Sequence, residues 1–279
     1  IVGWKTQPFG DNSDYTMWVT SQGPMGGVMK LTAEAEAMGA RPSWIGNVRV
    51  ADVDATCALA KKLGGKVHKE PSSIPTVGRF AVLGDPQGAA FAVFQPTGTM
   101  EMHDAEKEGE VCWSELYTSD DKAALAFYGE LFGWKIDPAP THEGATSHRL
   151  ILADGKQIGD IMPMIGVPAH WTSYVGVDDV DAAASRATEA GGSVVVAPTD
   201  IPGVGRFAVL GDGQGAKITA FRGHGTAQPM ERPGLWEFCW EQLNAANAER
   251  ATDFYARVFD WKAETSDTGL GVFNVGTTQ

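Results

Sequence analysis

Cysteine is scarce in this chain: three residues in 279, Cys57, Cys112 and Cys239. They lie far apart and form no CxxC pair, which argues for buried thiols more than for a disulfide framework. Sparse thiols of this kind fit a reducing compartment, and the cytoplasm is the expected location. Basic residues are also in short supply, with 22 Lys and Arg against 35 Asp and Glu for a net charge of −13. No basic stripe offsets that charge, so nucleic acid is not an expected partner. No apolar run approaches the roughly 18 residues of a membrane span, and the opening IVGWKTQPFG lacks the regions of a signal peptide. Neither membrane nor export is therefore expected. HExxH, GxSxG and a Walker loop are all missing, and GPMGG at 23–27 reads as a turn. His68, His103, His142, His148 and His224 sit in polar segments without paired spacing and receive no role.

What the chain does have is a repeat. Residues 74–85 read IPTVGRFAVLGD and residues 201–212 read IPGVGRFAVLGD, one difference in twelve positions at an offset of 127. The same offset relates AFYGELFGWK (126–135) to DFYARVFDWK (253–262), and a further GWK stands at Gly3 to Lys5. Two unrelated motifs sharing one period define a long internal repeat.

Each repeat holds two smaller modules. In 111–164, VCWSELYT reads as a strand. Ala124, Phe127, Tyr128 and Leu131 then fall at i, i+3, i+4 and i+7, the apolar stripe of a helix. Gly133 supplies its stop, and three short strands follow. Residues 170–223 repeat the order: HWTSYVGV, a helix over VDAAASRATEA ended by Gly191 and Gly192, then SVVVAP, GRFAVLGD and AKITAFRG. Residues 42–96 do so again, from WIGNVRV through a helix ended by Gly64 and Gly65 to AAFAVFQP. Every complete module is βαβββ, an α+β pattern.

The AFYGELFGW helix end and the VGRFAVLGDPQGA hairpin resemble the vicinal-oxygen-chelate superfamily, the glyoxalase, bleomycin-resistance and extradiol-dioxygenase kind. It resembles especially the two-domain bacterial glyoxalase-like members, and the likeness covers essentially the whole chain. It implies tandem βαβββ modules that pair into partly open eight-stranded barrels with outer helices, each around a small-molecule cavity. On that reading 1–96 is a first domain lacking its first strand and helix, and 111–223 is a complete second domain made of modules 111–164 and 170–223. Residues 235–279 form a partial module, and 235–262 is a candidate to complete the first domain. A fragment of a longer array is the alternative, and the incomplete ends also raise self-association.

Metal-dependent members carry His, Gln or Glu on the first strand of each module and Glu or His on the last. The resemblance puts Trp113, Thr172, Ile45 and Trp240 at the first-strand positions, and Ala92 and Thr219 on last strands. The strand IGDIMPM offers Asp160, at a register the sequence leaves open. No metal ligand is assigned and no cofactor is expected, with a divalent metal on other groups left as an alternative.

Strand alternation puts Val111, Trp113, Glu115 and Tyr117 on one face, and His170, Thr172 and Tyr174 on another strand's face. If both faces point inward, Glu115 and His170 enter one cavity as a candidate catalytic acid–base pair or as two ligands of a sparse metal site. Trp113, Tyr117, Thr172 and Tyr174, with Asn47 in WIGNVRV, are the ligand-binding candidates. The expected function is binding of a small organic molecule in an aromatic-walled cavity. The alternatives are a lyase, isomerase or hydroxylase-like enzyme using Glu115 and His170, and a structural module with a filled cavity.

Overall fold

The computed structural model describes residues 2–9, 12–20, 23–37, 39–74, 77–97, 111–138, 149–224, 234–259, 261–265 and 271–275. The N-terminal part holds β1 (Val2–Phe9), β2 (Asn12–Thr20), β3 (Gly23–Lys30) and the single turn α1 (Ala33–Ala37). A full module follows as β4 (Ser43–Arg49), α2 (Val53–Lys62), β5 (Lys66–Ile74), β6 (Gly78–Gly84) and β7 (Ala90–Pro96). The next is β8 (Val111–Thr118), α3 (Asp121–Phe132), β9 (Lys135–Pro138), β10 (Arg149–Ala153) and β11 (Lys156–Pro163). The third is β12 (His170–Gly176), α4 (Val180–Glu189), β13 (Ser193–Ile201), β14 (Gly205–Gly211) and β15 (Lys217–Gly223). The chain continues with β16 (Phe238–Ala245), α5 (Ala248–Val258), β17 (Trp261–Thr265) and β18 (Gly271–Val275).

The helices form where the sequence supplies both a cap and a stripe. Asp52, Asp120, Asp179 and Asn247 each accept from the amide three residues on, satisfying one of the open donors at the start of α2, α3, α4 and α5. In α3 the predicted stripe is the buried one, and the helix ends on Gly133 at φ 72°, the left-handed conformation that costs glycine least.

Two sheets result. One has eight strands in the order β13-β14-β15-β12-β8-β11-β10-β9. Its two modules meet where the first strands β8 and β12 run antiparallel at the centre, with Ser114 opposite Ser173. The other sheet has ten strands, β17-β18-β1-β2-β3-β16-β4-β7-β6-β5. Here β16 lies between β3 and β4, Leu243 facing Val28 on one side and Trp44 on the other. The extra pair β17 and β18 adds beyond β1, where an edge would otherwise leave its ladder groups unpaired. Residues 23–27 belong to β3 and are not the turn that their glycines suggested. Gly26 and Gly27 pair with β2 on one side and β16 on the other, so both ladders use their backbone.

The helices lie outside each sheet and face one another, α2 against α3 and α4 against α5. One core gathers Val28, Trp44 and Leu243 of the ten-stranded sheet with α4, α5 and the strands beneath α4. The other gathers α2, α3, Val48, Leu83, Phe91, Leu116 and Trp171. Among the described residues no helix is long and apolar enough to cross a membrane.

The repeated hairpin acts at this junction. Asp85 accepts from the amides of Gln87 and Ala89 with one oxygen, and from the Tyr128 hydroxyl of α3 at 3.2 Å with the other. Tyr128 in turn accepts from the Trp171 indole at 2.9 Å. Gln87 binds both the amide and the carbonyl of Asp120, the residue capping α3. The second copy repeats the device: Trp44 donates to Tyr255 at 3.0 Å, and Gln214 binds the Asn247 backbone of α5. The glycine pairs divide their labour in the same way. Gly191 has φ 83°, while a Cβ on Gly192 would stand 2.4 Å from the Phe254 ring of α5.

Candidate functional site

Each sheet has one face toward the helices and one away from them. In the eight-stranded sheet Leu116, Val175, Ala208, Leu210, Ile218 and Ala220 take the helix side. Alternation therefore turns Trp113, Glu115 and Tyr117 of β8, and His170, Thr172 and Tyr174 of β12, to the other side. The cross-strand register pairs them directly: His170 with Tyr117, Thr172 with Glu115, Tyr174 with Trp113. Residues directly opposite in an antiparallel pair share a face. That face is enclosed as well, since Glu115 is 1% exposed and Thr219 1%.

Glu115 is the centre of the group. Its carboxylate accepts a hydrogen bond from the Tyr174 hydroxyl, and the Tyr117 hydroxyl joins the same cluster. Burial, reinforced by the Glu115 charge, pushes both phenols far above the usual tyrosine range. They stay protonated and serve as donors. The Tyr117 ring stacks on the His170 imidazole, centroids 5.1 Å apart and planes at 24°. Its face thus meets the imidazole while its hydroxyl meets the carboxylate. His170 itself binds the Pro168 carbonyl through Nδ1 at 2.8 Å, which makes Nδ1 the protonated nitrogen and turns the ring by its own turn residue.

The register of β11, open in the sequence, sets Asp160 beside Glu115 on the adjacent parallel strand. Asp160 is buried, and its Oδ1 accepts from the Trp113 indole at 3.0 Å. On the far side β15 runs parallel to β12 with Thr219 beside Tyr174, whose ring meets Phe221 edge-on at 6.0 Å. The two modules are thereby related about the Ser114–Ser173 pair. Trp113 corresponds to Thr172, Glu115 to Tyr174, and Asp160 to Thr219.

Of the proposed ligand-binding residues, Asn47 alone stands apart. It lies on β4 in the ten-stranded sheet, opposite Trp240, whose carbonyl it binds at 3.3 Å. Sequence reasoning placed Asp160 near the site without a register, and it did not single out Phe221. Parity along β15 was the available signal for Phe221, but nothing in the sequence said which parity faces the helices.

Among the described residues no group of three or more His, Cys, Asp or Glu side chains is placed to hold a metal ion. Asp160 is the one carboxylate at the four related positions Trp113, Asp160, Thr172 and Thr219, and the indole next to it already donates to it. Of the three thiols, Cys57 and Cys239 are buried. Desolvation raises Cys57 to about 11 and Cys239 to about 12, so neither is a thiolate at neutral pH.

Comparison with known proteins agrees with this architecture. The sequence model of the Glyoxalase/Bleomycin resistance protein/Dioxygenase superfamily matches residues 111–219, the eight-stranded unit. The "Putative glyoxylase CFP32" of Mycobacterium tuberculosis is 39% identical over 186 residues, covering 66% of this chain and 71% of that protein. The "Anthracycline biosynthesis protein DnrV" of Streptomyces peucetius is 37% identical over 192 residues, 61% of this chain and 68% of that one. Among solved structures, glyoxalase I from Zea mays superposes with a TM-score of 0.53 at 16% identity, over 81% of this chain and 84% of the other. That last likeness is one of fold.

Proposed function

Because the chain belongs to the glyoxalase/bleomycin resistance protein/dioxygenase superfamily, we propose that it binds a small planar organic molecule on the helix-free face of its eight-stranded sheet, without a metal ion. The observation that carries this reading is the Trp113 indole donating to Asp160, with threonines at the two related positions of the other module. An indole N–H offers no lone pair to a cation and takes up the one carboxylate of that set. The residues present therefore do not fit the metal of the metal-dependent members.

What the face offers instead is aromatic surface with a few fixed polar groups, the usual make-up of an organic ligand site. Trp113, Tyr117, Tyr174 and Phe221 supply flat surface. Glu115 and Asp160 favour a ligand that brings hydrogen-bond donors or a positive charge, such as an amine or a phenol. A relative whose name places it in anthracycline biosynthesis is consistent with a polycyclic aromatic ligand of this chemistry. An acid–base enzyme using Glu115 and His170 is less well supported. The carboxylate already serves two phenols, and the imidazole Nδ1 is committed to a backbone carbonyl.

The test is a fluorescence titration of the protein with an aminoalkyl-substituted hydroxyanthraquinone. Glu115→Gln removes the charge and should weaken binding about tenfold or more, since hydrogen bonds to charged groups contribute about 1.5–3 kcal/mol. An unchanged dissociation constant in that variant would overturn the proposal. So would one stoichiometric transition metal in the dialysed protein, measured by elemental analysis.

A further inference from the structure

The repeat period makes a second face comparable with the first, residue by residue. β16 and β4 stand in the ten-stranded sheet as β8 and β12 stand in the eight-stranded one, 127 positions apart along the sequence. Glu115 is matched by Gln242, Tyr117 by Asn244, Tyr174 by Asn47 and Trp113 by Trp240. Where Asp160 lies beside Glu115 on the parallel neighbour, Gly27 lies beside Gln242. Both carboxylates and both phenols are therefore replaced, by amides or by nothing, while the indole is kept.

These residues also turn away from the helices. Val48, Ala81, Leu83, Phe91 and Val93 take the helix side, which leaves Ile45, Asn47, Phe80 and Phe94 on the other. Trp240, Phe80 and Val77 pack against the small core of Phe94 and Cys239, giving one apolar wall. Opposite that wall stand the amides. Asn47 is 5% exposed and Asn244 8%. Asn47 uses Nδ2 on the carbonyls of Ile45 and Trp240. Gln242 uses Nε2 on Asn244 Oδ1 at 2.8 Å and on Met29 Sδ. Among the described residues nothing donates to Asn47 Oδ1 and nothing accepts from Asn244 Nδ2. Neither atom is among the fully buried polar atoms that lack a partner, so both amide groups are open to what lies on this face.

We propose that this face is a second ligand site, specific for an uncharged planar molecule carrying both carbonyl and hydroxyl groups. The ligand's hydroxyl donates to Asn47 Oδ1, its carbonyl accepts from Asn244 Nδ2, and its ring lies against Trp240. With Gln242 and Gly27 where the other face has Glu115 and Asp160, a cationic ligand finds no counter-charge at these positions and is not retained. One fold thus carries two sites of different charge preference, set by substitutions at matched positions of a duplicated unit. This second site stands independently of the reading of the first.

The test uses protein labelled with fluorotryptophan and observed by fluorine NMR. Trp113→Phe and Trp240→Phe assign the two relevant signals. An uncharged dihydroxyanthraquinone should shift the Trp240 signal, and an aminoalkyl anthraquinone should leave it in place. Asn47→Leu should weaken the Trp240 response to the uncharged probe at least tenfold. Gln242→Met, at a half-buried position and of similar size, should do the same by removing the group that orients Asn244, and serves should the first variant not fold. No shift at Trp240 with the uncharged probe, or wild-type affinity in both variants, overturns the proposal. The Trp113 signal reports the first site separately, so failure there with a retained Trp240 response counts against the first reading alone.

Discussion

Ser173 of β12 donates its hydroxyl to Glu241 of β16 at 2.9 Å, a hydrogen bond that joins the central strands of the two sheets. Both residues are buried at the junction, and Gly46 opposite Glu241 leaves room for the Phe238 ring, which a Cβ would approach to 2.8 Å, and for the carboxyl, which it would approach to 3.2 Å. Desolvation raises Glu241 from 4.5 to about 7, with the Ser173 hydroxyl pulling the other way.

A carboxyl whose pKa is raised on folding binds its proton more tightly in the native state. Its contribution is complete below the unfolded value near 4.5 and is lost as the pH rises through about 7. Wild-type stability should therefore fall across that window relative to Glu241→Gln, with a slope of at most about 1.4 kcal/mol per pH unit. Urea denaturation of both proteins at several pH values measures it. Parallel curves would show that Glu241 does not titrate there.

Tyr128→Phe removes the acceptor of the buried Trp171 indole and one donor to Asp85. Asp85 keeps two backbone amides, but the indole N–H is left open. The expected cost is about 1–3 kcal/mol, the usual penalty for a buried unsatisfied donor. The denaturation midpoint reads it, and an unchanged midpoint would deny the clasp its role.

Gly192→Ala should destabilise the protein although the substitution favours ordered backbone elsewhere. The added Cβ meets the Gly211 carbonyl at 2.3 Å and the Phe254 ring at 2.4 Å. Forcing the two units apart should cost about 1–3 kcal/mol, as overpacking usually does. Gly39→Ala is the contrast, since at φ 93° it meets no neighbouring atom and pays for its backbone alone.

A metal site should be recoverable at the related positions. Trp113→His, Thr172→His and Thr219→Glu combined with the resident Asp160 would present four donors on the central strands. The triple variant should retain about one equivalent of nickel or zinc after dialysis. Failure to bind, in a variant that keeps its circular dichroism, would mean that these four side chains do not converge.

The βαβββ grammar was legible in the residues themselves. The Ala124, Phe127, Tyr128 and Leu131 stripe, the Gly133 stop and the GRFAVLGD hairpins are local patterns, and local patterns follow from helix and strand periodicity. Alternation likewise put Glu115 with Trp113 and Tyr117, because the side-chain period of a strand is two. Register between strands was not legible, since it depends on partners distant in the chain. Asp160 therefore had no fixed place until β11 lined up beside β8. Asn47 carried no assignment to one cavity or the other in the sequence, and the pairing of β4 with β16 sets it opposite Trp240 in the ten-stranded sheet. The neighbours of β16 were equally open, because a strand's hydrogen-bonding groups are the same on both edges. The sequence by itself determined the modules and the chemistry each strand carries. Only the tertiary structure decided which strands meet, and so which carboxylates, phenols and amides share a face, because burial selects among pairings that local propensity leaves equal.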